Sequence, residues 1–455
     1  MMRRAAASAL LLFIGACVTT RLGVPVHEPV RVSAPPAPKP EAPPAAPKPE
    51  EVPRDEAPDF RREGGRDVRV ALATTTPQPG LAATGAWRLF DDREGVLVRG
   101  RSGESWSVEQ QGGQLRAVRS DGFAAAWSRG PLVLRADRDD DFVLYNGRRY
   151  RGVLRYFAAD DGVGVMVVNA LSVEQYLRGV VPQEIGGNRT ALEQAAVEAQ
   201  AVAARSYTYV RLAAAGGSGA RHVNYDVVAS TSDQVYGGVD GERAFGDAAV
   251  ASTAGLVLKY GGRTVDAPYS ASCGGETASA EEVWRTGAQA YLRRVSDRIP
   301  GTQRYYCDPS PRFAWTRTLE SAELDAAVRQ YLRNYVNVPA SGPGHVTAVV
   351  VEGRTPSGRV ATLRIDTDAG RYLLRGNDVR YVLRPPGGEI LNSTYFSVEP
   401  DGGAGALRRL VIRGNGWGHG IGMCQWGAIG RARAGQDFRT ILRTYYPGTE
   451  LGPAS

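Results

Sequence analysis

Glu184 is the lone acid in VVPQEIGGN, residues 180 to 188. A single carboxyl set between apolar residues, a proline and two glycines can act as general acid and then general base if burial raises its pKa. A solvated loop carboxylate is the plain alternative. A second stretch, YSASCGGETASAEEVW from Tyr269 to Trp284, gathers Ser270, Ser272 and Thr277 around Cys273, Gly274 and Gly275. A third, GWGHGIGMCQWGAIG from Gly416 to Gly430, sets His419, Cys424 and Gln425 among glycines. Each glycine costs roughly 0.5–1 kcal/mol inside a helix or strand. Such density marks backbone that turns sharply or lies close to something else, which is either a packing corner or a site.

The cysteines narrow the chemistry. Apart from Cys17 there are three, Cys273, Cys307 and Cys424, and His419 lies five residues before the last. Three thiols and an imidazole form a donor set that suits tetrahedral zinc in a structural role. A disulfide with one thiol left over, or simple burial, fits the same count. A zinc amidase is disfavoured, because a single histidine lies in a site-like context and no acidic ligand accompanies it.

These residues must be held by a fold and delivered to a place. Residues 1–16 carry Arg3 and Arg4 ahead of an apolar run too short to span a bilayer, ending in Ile14-Gly15-Ala16-Cys17. This resembles the bacterial lipobox, so Cys17 is expected to be lipidated and the protein to be an exported lipoprotein. Val18 after the cysteine points to the periplasmic side of an outer membrane, and no later segment is apolar enough to cross one. Residues 17–66 form the anchor and a proline-rich spacer, which stays extended and holds the rest off the membrane.

The net charge of +7 comes almost wholly from dispersed arginine, with Lys39, Lys48 and Lys259 the only lysines. No basic stretch interleaved with aromatics appears, so nucleic acid is not an expected partner.

From residue 67 to about 170 short alternating runs such as DVRVAL, GVLVRG and PLVLRAD, separated by Gly, Asp and Asn, predict antiparallel strands in hairpins. The period then changes. Ser172-Val-Glu-Gln175 has capping-box form and predicts a short helix through Leu177, and Thr190-Ala-Leu-Glu193 opens a long, small-residue helix. Glu184 is thereby expected in a connection between two helices. A helical stretch from Leu319 to Asn337 and strands from Val346 to Val398 follow. The expected fold is α+β: a β-rich part at 67–170, then a mixed core at 171–455 around a long buried helix, with the Gly-rich loops walling a groove.

LRGVVPQEI, EAQAVAARSYTYV, STSDQVYGG, APYSASCGGETASAEEVW with AYLRRVSD, and GWGHGIGMCQWGA with ILRTYYPGTEL occur in that order. Together they resemble the successive motifs of the SpoIID/LytB family, over nearly the whole stretch from Asp67 to Leu451. The resemblance implies a peptidoglycan lytic transglycosylase, a lyase that cleaves between N-acetylmuramic acid and N-acetylglucosamine and leaves 1,6-anhydro ends on glycan stripped of peptides. It makes Glu184 the catalytic acid and puts Arg205 in the cleft, holding the lactyl carboxylate; the structural alternative for Arg205 is a partner for a carboxylate elsewhere in the fold or for Glu198 on its own helix. It further implies that Gln234, Tyr236, Ser270, Ser272, Gly274, Gly275, Thr277, His419 and Gln425 line the glycan groove. Ile185 departs from the methionine common after the glutamate, a swap conservative in volume. No cofactor is required by this chemistry, and zinc at Cys273, Cys307, His419 and Cys424 would be structural. The family also includes amidase enhancers, so a glycan-binding protein that activates a cell-wall amidase is the competing expectation.

Overall fold

The computed structural model describes residues 66–214, 222–403 and 406–454. The expected signal peptide, the lipidated Cys17 and nearly all of the proline-rich spacer lie outside them. Among the described residues no helix is long and apolar enough to cross a membrane.

The alternating runs do form strands. One sheet orders Val227–Val228, Asp67–Ala73, Val165–Ser172, Val153–Ala158, Leu132–Ala136, Trp87–Phe90 and Val96–Gly100. A second orders Gln114–Arg119, Trp106–Gln111, Gly80–Ala83, Val143–Tyr145 and Arg148–Tyr150. The pairing is antiparallel except at one edge, where Val70 and Ala71 pair in parallel with Val227 and Val228, contributed from beyond the helices. Val165–Ser172 is buried through Leu171, an apolar run covered on both faces.

That strand feeds helix α1, Val173–Ile185, whose cap is Ser172: its Oγ accepts the Gln175 N–H at 3.3 Å. The helix does not stop near Leu177. It runs on through Pro182, which costs one backbone bond near the end and is accommodated because Gly246 makes room. A Cβ on Gly246 would lie 2.6 Å from the proline ring. Gly186, at φ 66°, ends α1 and donates its N–H to the Pro182 carbonyl. Glu184 therefore sits in the last turn of a helix and not in a connection, a correction to the sequence reading.

A single 3-10 turn at Ala191–Glu193 with the expected capping box leads into α2, Gln194–Ala214. Its alanines and valines are buried nearly all round, so neighbouring backbones approach closely. Against it pack α1, α3 (Ala244–Ser252), and, from the far end of the chain, α7 (Gln425–Arg433) and α8 (Phe438–Tyr445). Between them in sequence lie the short α4 (Ala280–Val283), α5 (Ser321–Tyr331) and α6 (Asp378–Val382). One hydrophobic core joins the two N-terminal sheets to these helices, from Trp87 and Leu134 to Val180, Val202 and Ile429.

A second core lies within the stretch expected to be one mixed domain. Strands Ala314–Glu320, Ala406–Asn415 and Phe396–Gly403 form one sheet, and Val346–Arg354, Val360–Thr367 and Gly370–Arg375 a meander. With α5 and α6 they bury Leu324, Val328, Leu363, Ile365 and Ile412. Both cores belong to one compact unit. They meet where the turn before Val360 enters the other half: Ser357 N–H binds Glu282, and fully buried Arg359 donates to the carbonyls of Cys273 and Glu276. The architecture is α+β, as the sequence predicts.

Candidate active site

α1 presents Glu184 at its C-terminal end, half-buried, and the loop of the QVYGG motif holds it there. That loop packs on α1 because Gly179 has no side chain: a Cβ there would fall 2.6 Å from the Tyr236 ring. The Gly237 N–H donates to the Gly179 carbonyl. The same contact brings the Val235 N–H to Glu184 Oε1 at 2.7 Å. The Gln425 side chain, the first residue of α7, is the carboxyl's other hydrogen-bond partner, and its amide also reaches Gln200 of α2 at 3.2 Å. Burial drives the Glu184 pKa up to about 7, outweighing the pull of the Val235 and Gln425 hydrogen bonds toward the ionised form. At neutral pH a large share of this group carries its proton.

Beneath it lies a closed polar network. Gln234 accepts from the hydroxyls of Tyr176 and Thr208, and donates to the Tyr269 hydroxyl and the Ala204 carbonyl. Burial pushes both phenols well above their usual range, so they stay neutral beside the acid. Another carboxylate of the motif, Asp233, binds the Tyr207 hydroxyl at 2.7 Å and the Val228 N–H at 2.8 Å, and so braces the loop.

The sequence-predicted residues divide sharply. Gln425 joins Glu184 directly, while Gln234 and Tyr236 support it from below. Gln234 and Tyr236 are buried, Tyr236 donating to Asn169, so neither lines a groove. Arg205 is corrected outright. It is fully buried, bidentate to Glu174 at 2.7 Å through Nε and Nη2, and bonded to the Leu256 carbonyl by Nη1. With its donors so occupied and no exposure, it cannot touch a sugar; the structural alternative is the one observed.

The Gly-rich stretches brace each other instead of offering bare walls. Ser272 and Trp417 exchange backbone hydrogen bonds, Ser270 Oγ accepts the Gly420 N–H, and Thr277 Oγ1 and N–H bind the Val295 backbone. Gly274 and Gly275 are buried with positive φ; a Cβ on Gly274 would meet the Asn415 and Gly416 backbone at 2.8 Å. Ser270, Ser272, Thr277 and the two glycines thus serve packing. The glycine run is a packing corner, and it also carries Gln425 to Glu184. Gly427 illustrates the packing: a Cβ would lie 2.1 Å from both Asp297 Oδ2 and the Tyr445 hydroxyl. Gly427→Ala is expected to cost about 1–3 kcal/mol through overpacking, read as a lower denaturation midpoint.

His419 does not join the cysteines. Its ring packs on Trp284, centroids 5.2 Å apart, and its Nδ1 accepts the Ile421 N–H. Burial, with the nearby Arg380 and Arg359 charges, pushes its pKa down to about 3, so it stays neutral. The buried fourth member of the cluster is Asp297, the last residue of AYLRRVSD; Cys273, Cys307, Cys424 and Asp297 place ligand atoms within 4.8 Å of one another. Sequence reading missed Asp297, Val235 N–H, Gln200, Tyr176 and Tyr269. All but Tyr176, which directly precedes LRGVVPQEI, lie inside stretches quoted for the family resemblance, but nothing in their type or local spacing marks them as members of the site.

A family model described as stage II sporulation protein matches residues 161–260, which carry Glu184 and its supporting loop. A second, for a domain of unknown function, matches residues 301–422, which contain the second core. An uncharacterised protein of Brachyspira hyodysenteriae is 32% identical over 69% of this chain and 75% of its own. Stage II sporulation protein D of Bacillus amyloliquefaciens is 30% identical over 63% of this chain and 76% of its own. The amidase enhancer of Bacillus subtilis is 28% identical over 68% of this chain, which spans only 45% of that protein.

Proposed function

Because this chain belongs to the SpoIID/LytB family, we propose that it is a peptidoglycan lytic transglycosylase acting through Glu184 on glycan strands. The observation that carries the reading is one carboxyl with its pKa at about 7, held by the Val235 N–H and the Gln425 amide. A glycosidase that hydrolyses uses two carboxyls, one as acid and one as nucleophile or base for water. A transglycosylase uses the substrate's own C6 hydroxyl, so the attack is intramolecular and needs positioning more than a second acid. Protonated Glu184 gives its proton to the departing glycosidic oxygen. As carboxylate it takes the proton of the C6 hydroxyl as that oxygen bonds to C1 and closes the 1,6-anhydro ring. The two fixed donors keep the carboxyl in one orientation through both steps and cost no reorganisation between them.

Peptide-free glycan treated with the protein should yield fragments lighter than hydrolysed ends by one water, read by mass spectrometry. Full-mass reducing ends would replace this reading with a hydrolase. The rate should fall as pH rises through about 7, because the acid form is the one consumed in the first step. A flat profile from about pH 5 to 9 would remove Glu184 from that role.

The relative named amidase enhancer supports a second reading, a glycan-binding protein that activates a cell-wall amidase. Glycan retained on the protein with no product would favour it. An outer-membrane lipid anchor at Cys17 belongs to the proposal in either case, placing the domain beside peptidoglycan.

A further inference from the structure

We propose that Cys273, Cys307, Cys424 and Asp297 bind a single zinc ion in a closed, structural site. The four ligand atoms lie within 4.8 Å of one another and all four residues are buried. Cys273 Sγ is 3.6 Å from Cys307 Sγ and 3.1 Å from Asp297 Oδ2. Zinc bonds to sulfur and carboxylate oxygen imply tetrahedral edges of about 3.8 Å between sulfurs and about 3.6 Å from sulfur to oxygen. The Cys273–Cys307 separation is close to that edge, the Asp297 contact is shorter and the 4.8 Å outer bound longer, so small side-chain adjustments would seat one ion.

The surroundings are those of ligands held in place by a second layer of bonds. Asp297 turns Oδ2 toward the thiols, while Oδ1 accepts from the Tyr445 hydroxyl at 2.6 Å and Arg431 Nη2 at 3.1 Å. Cys424 Sγ accepts the backbone N–H groups of Cys273 at 3.1 Å and Gly427 at 3.3 Å, which suits a thiolate. Charge points the same way. Three thiolates and a carboxylate exceed a divalent cation by two negative charges, and two buried guanidiniums flank the cluster. Arg431 pairs with Asp297. Arg359 donates to the Cys273 carbonyl, yet its Nε and Nη1 have no hydrogen-bond partner and no carboxylate forms an ion pair with it among the described residues. A buried cation so placed is costly unless an anionic centre lies beside it.

The ligands come from three separate segments of chain, so the ion would tie the Cys273 loop, the 297–307 loop and the start of α7 together. Four protein ligands leave no open position, which makes the role structural. Cys424 directly precedes Gln425, so the same ion would fix the residue that binds Glu184.

The test uses the full-length chain carrying Cys17→Ser, so that the three remaining thiols are the only ones. Elemental analysis should find about one zinc per chain, and the thiols should resist a thiol reagent until a chelator and denaturant are added. Cobalt(II) exchanged for zinc should give a thiolate-to-metal charge-transfer band, a readout that needs no variant. Cys307→Ser should lose the metal. A mass two hydrogens lower with no metal would mean a Cys273–Cys307 disulfide and overturn the proposal. Three reactive thiols without metal would overturn it equally, as would zinc retained in full by both Cys307→Ser and Asp297→Asn.

Discussion

Glu184→Gln is expected to lower the rate of anhydro-product formation by ~10²–10⁴-fold, the usual contribution of a positioned general acid. Gln is nearly isosteric, its carbonyl can still accept the Val235 N–H, and the fold should be retained. What it lacks is the proton. The variant should also be more stable than wild type above neutral pH. In the folded protein Glu184 holds its proton up to about pH 7, against an ordinary value of 4.5. The folded state therefore binds more protons than the unfolded state across that window, and wild-type stability falls as pH rises through it. Gln does not titrate, so the variant escapes this loss by ~1–3 kcal/mol above pH 7 and gains nothing below about pH 4.5. Denaturant unfolding at the two pH values checks the sign. Equal stabilities at high pH would mean the carboxyl is not under strain and would weaken its assignment as the acid. An enzyme that is less active when made more stable is the expected signature of a site held against its preferred ionisation.

The second large effect is on folding. Arg205→Ala should destabilise the protein by ~3–5 kcal/mol, the cost of stranding a buried carboxylate. Both nitrogens facing Glu174 lie at 2.7 Å from its oxygens, and Gly255 N–H also binds Glu174 at 3.3 Å. Removing the guanidinium leaves the buried Glu174 carboxyl without its ion-pair partner and opens a cavity on α2. Replacing both charges, as Glu174→Gln with Arg205→Met, should recover most of the loss, and the difference between single and double variants measures the coupling. The double variant also separates the two roles considered for Arg205. If it folds, it should make product at close to the wild-type rate. A folded double variant that binds glycan but makes none would return Arg205 to the chemistry.

The residues that were legible in the sequence are those whose signal is local. Ser172 and Thr190 announce helix starts because a cap needs only its own next turn, and both work as written. Glu184 was visible because an acid in an apolar, proline-flanked setting is locally unusual. Arg205 was misplaced because its partner lies 31 residues away and one helix turn looks like another until α1 and α2 are packed. The passage of α1 through Pro182 depends on the absence of a side chain at Gly246, on a different helix. His419 was drawn into the thiol set by proximity in sequence, whereas Asp297 reaches it through space from 10 residues before Cys307 and 127 before Cys424. The second core left no mark in composition, since no proline-rich or charged linker borders residues 314 to 415.

The turn that carries Arg359 has a consequence for how this molecule could lose or exchange parts. Its guanidinium occupies space that a side chain on Gly420 would need, at 2.2 Å, and it binds the backbone on both sides of the Cys273 glycines. The second core is therefore a keystone and not an ornament. Excising it would uncap two carbonyls, open a void beneath the thiols and unseat the loop that leads to α7. Shuffling of this segment between relatives is then constrained to versions that bring their own plug for that hole, and its tip should drift less in sequence than its outer strands.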